Sequence, residues 1–294
     1  MTINDYKQEY LLSCVAQGLS QDTITGYRNI LTAFCKYAVK KKDNVGDIQA
    51  REYRGYIDTL VSKDFKKTTI RLHSIVVKKF YEYLKNEGAI SLSMKELKIY
   101  KATLPKIEVL QERDVDTLVA TTTKDKRATA LRDKALILLI ATSGLRASEV
   151  CGLKRQDIKT NKDGYVEIAV RGKGQKDRVV FTTQKTKRAI DAYLATRNDN
   201  NDTLFLSYGS GGTRERALDR RSLCYMVHRR AKQAGLKNIS PHTLRHYTAT
   251  EMLRRGANTS IVQKVMGHAN ISTTQRYTHI TDRDVAEIYS AVMG

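Results

Sequence analysis

The stretch Ser143-Gly144-Leu145-Arg146-Ala147-Ser148-Glu149 turns a long apolar run into a charged corner. The run before it, Arg127 to Thr142, has helical spacing and contains Ala135 to Ala141, the longest apolar stretch in the chain. Gly144 is a plausible stop, because glycine adopts the left-handed conformation that ends helices without steric cost. Arg146 therefore leaves the core just past a helix end. Glu149 lies three residues on, close enough to pair with it.

A second corner stands at Ser240-Pro241-His242-Thr243-Leu244-Arg245-His246. Ser240 can cap a helix whose first position suits Pro241. The three-residue spacing then puts His242 and Arg245 on one face, near a helix N-terminus where an anion is favoured. His246 is four residues from His242, a spacing that can bind zinc. The glutamate of HExxH is missing, since Thr243 fills its place, so no metal is expected.

Between the corners, Tyr165 to Val170 alternates like a strand, and Arg178 to Phe181 reads as a second. The turn from Gly172 to Asp177 joins them as a hairpin with Lys173 between two glycines at its tip. This turn is not a P-loop, for no GxxxxGK[ST] occurs in the chain. A short helix is expected at Asp114 to Ala120, and further helices from about Lys185, Asp219, Ser240, Thr259 and Ser272. The last block is Gly267-His268, followed by Tyr277-Thr278-His279.

The first ninety residues read as four helices. Tyr6, Tyr10, Leu11 and Leu12 set the first apolar stripe. Ser20 starts a second helix carrying Ile24, Tyr27, Ile30, Leu31, Phe34 and Ala38. Asp47 could cap a third, and a fourth runs from about Thr68 to Lys85. Lys66, Lys67, Arg71, Lys78 and Lys79 decorate this last helix and suit contact with a phosphate backbone. Residues 91–109 lose periodicity and read as a linker, with Lys98 and Lys101 ready to follow DNA. The organisation expected is thus a helical domain over 1–90, a linker over 91–109 and a second domain over 110–294.

The net charge is +21, from 52 basic against 31 acidic residues in a chain of 294. Both parts are basic, +7 over residues 1–104 and +14 over 105–294, which favours a clamp on a polyanion over a single basic tail. Four scattered cysteines form no CxxC pair, so neither a zinc site nor a disulfide framework is expected. The N-terminus lacks the regions of a signal peptide and no apolar run has transmembrane length, which points to a cytoplasmic protein with no membrane partner.

Chemically, the basic corners suit a phosphodiester. Negative oxygens repel a nucleophile, and arginine can neutralise charge that builds on them without itself titrating. In order and spacing, Arg146, Lys173, His242, Arg245, His268 and Tyr277 resemble the tyrosine recombinases, the phage integrases and the Xer and Cre-type enzymes. The resemblance covers about residues 110–290 by motif and the whole chain by organisation.

The resemblance implies a mainly α fold: a helical, SAM-like core-binding bundle and an α+β catalytic domain with a small antiparallel sheet. It implies that Tyr277 attacks a scissile phosphate of double-stranded DNA, leaving a 3′-phosphotyrosine and a free 5′ hydroxyl. Lys173 would be the general acid, with Lys176 and Arg178 as competing candidates and DNA contacts. Glu149 and His246 would support the site from behind. A homo-tetramer on two duplexes with inverted-repeat core sites would pass through a Holliday junction, needing no cofactor, metal or ATP. The tail from Asp282 to Gly294, with Val285, Ile288, Tyr289 and Val292 on one face, would dock as a helix on a neighbouring protomer. Departures exist: Val179-Val180-Phe181-Thr182 lacks the proline common there in Xer proteins, and the tail lacks a His-Pro-Arg ending. An extra N-terminal arm-binding module is not expected either. The sequence therefore fits a compact recombinase of a mobile element, plasmid or virus, or a divergent Xer protein. A type IB topoisomerase and a non-catalytic DNA-binding regulator are the alternatives.

Overall fold

The computed structural model describes residues 1–39, 45–102, 110–123, 127–171, 177–208 and 216–267. It divides into two compact units, Met1–Ile107 and Glu108–Gly294. Each has its own hydrophobic core.

The first unit holds α1 (Ile3–Ala16), α2 (Gln21–Val39), α3 (Ala50–Ser62) and α4 (Lys67–Asn86). Their inward faces meet at aromatic rings, with Phe34 5.3 Å from Tyr56 and 5.6 Å from Tyr81. Three expectations change here. Leu12 is 67% exposed, because α1 buries Ile3, Lys7, Tyr10, Leu11 and Cys14, and position 12 turns away from that stripe. Asp47 does not cap α3: it lies in a single 3-10 turn, Val45–Asp47, and Gln49 occupies the cap. Glu52 returns its carboxylate to the Gln49 N–H at 2.8 Å.

The third change concerns residues 91–102, read above as linker, which pack along the first unit. Leu97 is fully buried, the Tyr53 hydroxyl donates to the Lys98 carbonyl at 2.9 Å, and the Tyr100 N–H donates to Ser74 Oγ at 3.1 Å. Lost periodicity signals irregular backbone, and irregular backbone still packs when side chains satisfy its polar groups.

The second unit is built on α6 (Ala128–Ser143), in which every residue from Ala135 to Ala141 is buried. A helix apolar on all sides must be covered on all sides. Cover comes from α5 (Glu112–Ala120), the sheet, α8 (Gln184–Leu194), α9 (Arg220–Gln233) and α10 (Pro241–Arg254). The strands β1 (Ile158–Thr160), β2 (Val166–Arg171) and β3 (Asp177–Thr182) form one antiparallel sheet in sequence order. Thr142 Oγ1 ties α6 to this sheet through Thr182 Oγ1 at 2.6 Å. A two-residue ladder pairs β4 (Leu206–Ser207) with β5 (Arg216–Ala217). The short α7 (Ala147–Gly152) follows α6, and α11 (Thr259–Met266) closes the described chain. Mainly helical, with small antiparallel sheets, the architecture has the expected class. No described helix is long and apolar enough to cross a membrane.

Candidate active site

Two helix ends organise the site. α6 stops at Gly144 with φ +65°, and α11 stops at Gly267 with φ +59°. α10 lies against both. Thr248 Oγ1 donates into the last turn of α6, 3.0 Å from the Ala141 carbonyl, and Ala249 and Leu253 share a small core with Val262 and Met266 of α11. α10 starts as its sequence indicates: Ser240 Oγ accepts from the Thr243 N–H at 3.2 Å, and Pro241 follows.

Arg245 of α10 is buried, and its guanidinium donates to the Gly144 carbonyl and, at 2.5 Å, to the Met266 carbonyl. Both acceptors lie at helix C-termini, where unpaired carbonyls and the helix dipole favour a cation. Arg146 is the N-cap residue of α7 and donates to the next carbonyl of the same terminus, Gly267, at 2.7 Å. The α11 end thus holds two arginines on consecutive peptides.

Glu149 fixes Arg146 from below. Its carboxylate accepts from the Arg146 N–H at 2.8 Å and from the Arg146 guanidinium at 2.9 Å. Arg178 of β3 donates to the same carboxylate through both terminal nitrogens, each at 2.9 Å. Burial would raise the Glu149 carboxyl, but the bonds from Arg178 and Arg146 outweigh it and hold the group below the ordinary carboxylate range. Two guanidiniums bond this one carboxylate and Arg245 adds a third nearby on backbone carbonyls, so the centre keeps a positive balance suited to an anion. The Arg146 side chain is 41% exposed, so it can also meet a ligand.

His242 sits on the exposed side of α10, with its Nε2 2.8 Å from the Nε2 of His246 and the ring centroids 4.2 Å apart. One imidazole must donate and the other accept. Partial desolvation, then the Arg245 charge, push His242 below its ordinary pKa.

The site residues read from sequence fall into two groups. Arg146, Glu149, His242, Arg245 and His246 come together around the ends of α6, α10 and α11. Lys173, Lys176, His268, Tyr277 and the tail lie outside the described residues. Arg178 was read as a DNA contact or a rival acid, but its guanidinium turns inward to Glu149. The reason is the period of two along β3: Arg178 shares a face with Val180, which is buried, while Val179 and Phe181 are exposed. That alternation was the available signal. The carbonyls of Met266 and Gly267 had no signal, since backbone acceptors carry no residue signature. Tyr247, the one tyrosine of α10, is buried, and its phenol is raised by burial first and then by Glu251, which makes it a poor nucleophile.

In the first unit Lys66, Lys67, Lys79, Lys98 and Lys101 are exposed, whereas Arg71 and Lys78 are half-buried. Arg71 donates to the Tyr100 carbonyl at 3.4 Å, and Lys79 donates to the Tyr27 hydroxyl at 3.3 Å.

Comparison with known proteins bears on this arrangement. Residues 108–284 match the Phage integrase family, and residues 3–88 match its N-terminal SAM-like domain. The chain is 36% identical over 282 residues to tyrosine recombinase XerC of Thermodesulfovibrio yellowstonii, covering 93% of this chain and 90% of that protein. It is 34% identical to tyrosine recombinase XerA of Pyrococcus horikoshii, covering 97% and 92%. In fold it resembles the XerH site-specific recombinase bound to palindromic difH substrate in a post-cleavage complex, with TM-score 0.73, 22% identity and coverage of 95% and 82%. It also resembles a lambda integrase dimer bound to a COC′ core site, with TM-score 0.74, 16% identity and coverage of 96% and 97%.

Proposed function

The chain belongs to the phage integrase family and is a tyrosine recombinase, and we propose that it exchanges strands at an inverted-repeat core site in double-stranded DNA. The observation that carries this reading is the convergence of Arg146 and Arg245 on adjacent carbonyls at the α11 terminus. Two guanidiniums fixed before any ligand arrives can neutralise charge on a pentacoordinate phosphorus with little reorganisation. His242, on the same helix as Arg245, would hold a phosphate oxygen.

The phenol oxygen of Tyr277 would attack phosphorus, losing its proton to solvent as the new P–O bond forms. The bond from phosphorus to the 5′ oxygen breaks, and Lys173 gives that oxygen a proton. The product is a 3′-phosphotyrosine and a free 5′ hydroxyl. A 5′ hydroxyl from a second duplex reverses the step, and two rounds pass through a Holliday junction. His268 would hydrogen-bond the phosphate. The phosphotyrosine conserves the bond energy, so neither ATP nor metal enters the scheme.

Four protomers on two duplexes would be linked by the tail from Asp282 to Gly294, docked on a neighbour. Lys66, Lys67, Lys79, Lys98 and Lys101 would track the DNA backbone, with Arg71 and Lys78 beside them and Lys176 near the cleavage point. Integration, excision and resolution share this chemistry, and the cytoplasm gives access to all three.

The test is covalent capture on DNA from the chain's own genomic neighbourhood, in EDTA. The expected result is a protein–DNA adduct at defined positions that Tyr277→Phe abolishes while binding persists. Adducts that survive Tyr277→Phe would overturn the nucleophile, and strand passage without exchange would point to a topoisomerase.

A further inference from the structure

We infer that Arg178 is a positioning residue for the phosphate clamp, acting on Arg146 through the shared Glu149 carboxylate; this rests on the recombinase reading above. Glu149 has two oxygens, and each accepts from Arg178 at 2.9 Å in the parallel fork that fixes a carboxylate most firmly. The plane set by that fork is the plane that meets Arg146: Oε1 takes its guanidinium and Oε2 its backbone N–H. Arg146 is the less enclosed partner, with a side chain 41% exposed and a single guanidinium bond to the carboxylate. Arg178 has an exposure of only 18% and stands on a strand, where the backbone fixes its origin.

The third side of the device is Gly267. A methyl group built there would lie 3.0 Å from the Arg178 guanidinium, so the α11 terminus closes directly over Arg178. The same glycine offers its carbonyl to Arg146 at 2.7 Å. Arg178 is therefore packed against one side of the residue whose carbonyl holds Arg146. Arg178 is the second residue of β3, which starts at Asp177. Arg178 itself spends both terminal nitrogens on Glu149 and is not assigned to the phosphate.

The test separates positioning from mere folding with a substrate whose scissile phosphate carries a methyl group in place of one oxygen. Such a phosphonate is neutral and has little need of a charge clamp. Single-turnover cleavage of ordinary and methylphosphonate core-site duplexes is compared for wild type, Arg146→Ala and Arg178→Gln. On the ordinary duplex, Arg178→Gln should cleave about tenfold to a hundredfold more slowly with DNA affinity unchanged. On the methylphosphonate that deficit should largely vanish, as the Arg146→Ala deficit does. Arg178→Lys, which keeps charge and stem but loses the fork, should show the same pattern at smaller amplitude and serves if Arg178→Gln unfolds. A rescued Arg146→Ala beside unrescued Arg178 variants would overturn this inference and leave the clamp intact. Failure of Arg146→Ala to be rescued would overturn the clamp reading itself.

Discussion

Around Asp133 three arginines converge on a carboxylate that solvent does not reach, whereas around Glu149 two converge and one keeps an open face. Arg132 and Arg230, nearly buried, and the half-exposed Arg229 all bond Asp133, at 2.7 to 2.9 Å. Two of them also donate to backbone, Arg132 to the Leu206 carbonyl and Arg230 to the Thr121 carbonyl, both at 2.9 Å. That cluster staples α5, α6, α9 and β4 together. At the other end of α6, Arg146 and Arg178 share Glu149 in much the same chemistry, yet the Arg146 side chain remains 41% exposed. The lesson is that arginine count does not mark a phosphate site. What marks it is an arginine held in place by some of its donors while a face stays open.

The comparison predicts that the two carboxylates fail differently. Asp133→Ala leaves three guanidiniums crowded without a counter-charge in a dry place, so it should cost about 3–5 kcal/mol of folding stability. Urea titration would measure this, and the fraction that stays folded should cleave DNA at an ordinary rate. A stable Asp133→Ala protein with lost cleavage would erase the distinction between the clusters.

Arg146→Ala should do the reverse. The Arg178–Glu149 pair survives, so stability should change by no more than about 1 kcal/mol. Cleavage should slow by about a hundredfold or more, because charge on the transition state loses a donor. Equal damage to folding and to cleavage would place Arg146 with Asp133's arginines as a structural group.

How the two helix ends close can be probed through glycines that differ only in surroundings. Gly267 and Gly235 both have positive φ, at +59° and +71°. Either alanine substitution should cost about 1–2 kcal/mol from backbone strain. Beyond that, a Cβ at Gly235 meets nothing within 4 Å, whereas one at Gly267 presses on Arg178 at 3.0 Å. Gly267→Ala should therefore lower the melting temperature further and also slow cleavage, and Gly235→Ala should leave cleavage alone.

Much of this was legible beforehand, and particular residues show why the rest was not. The α10 corner could be read because Ser240, Pro241, His242 and Arg245 all fall within about a turn and a half of one helix, where spacing fixes geometry. Gly144 could be read because the end of an apolar helix needs a left-handed residue. Asp133 could not, since its partners Arg229 and Arg230 lie almost a hundred residues away and no local pattern joins them. β1 was missed because Ile158-Lys159-Thr160 buries one residue and exposes two, leaving no alternation to detect; its pairing with β2 defines it. Half of the proposed catalytic set, Lys173, His268 and Tyr277, lies outside the described residues and rests on order and spacing.

The smallest expected effect concerns His242, which unlike either arginine cluster changes charge near neutral pH. Its pKa lies below the ordinary imidazole value of about 6.5, first because of partial desolvation and then because of Arg245. At neutral pH it is thus more fully uncharged than a free histidine, and the His242–His246 bond has the one donor and one acceptor it needs. The sign of the linkage follows. As pH falls below about 6.5, the unfolded chain takes up the proton before the folded one, so this contribution to stability is lost with acid and is fully present above that value. When both rings are protonated, two N–H groups face each other and the pair must open. Histidine ring resonances followed by NMR should place the His242 midpoint below the ordinary imidazole value of about 6.5, and Arg245→Gln should move it upward by removing the nearby charge. A His242 that titrates at or above the free value would show that a carboxylate or phosphate reaches it first, and the open anion site argued for this half of the comparison would then be closed.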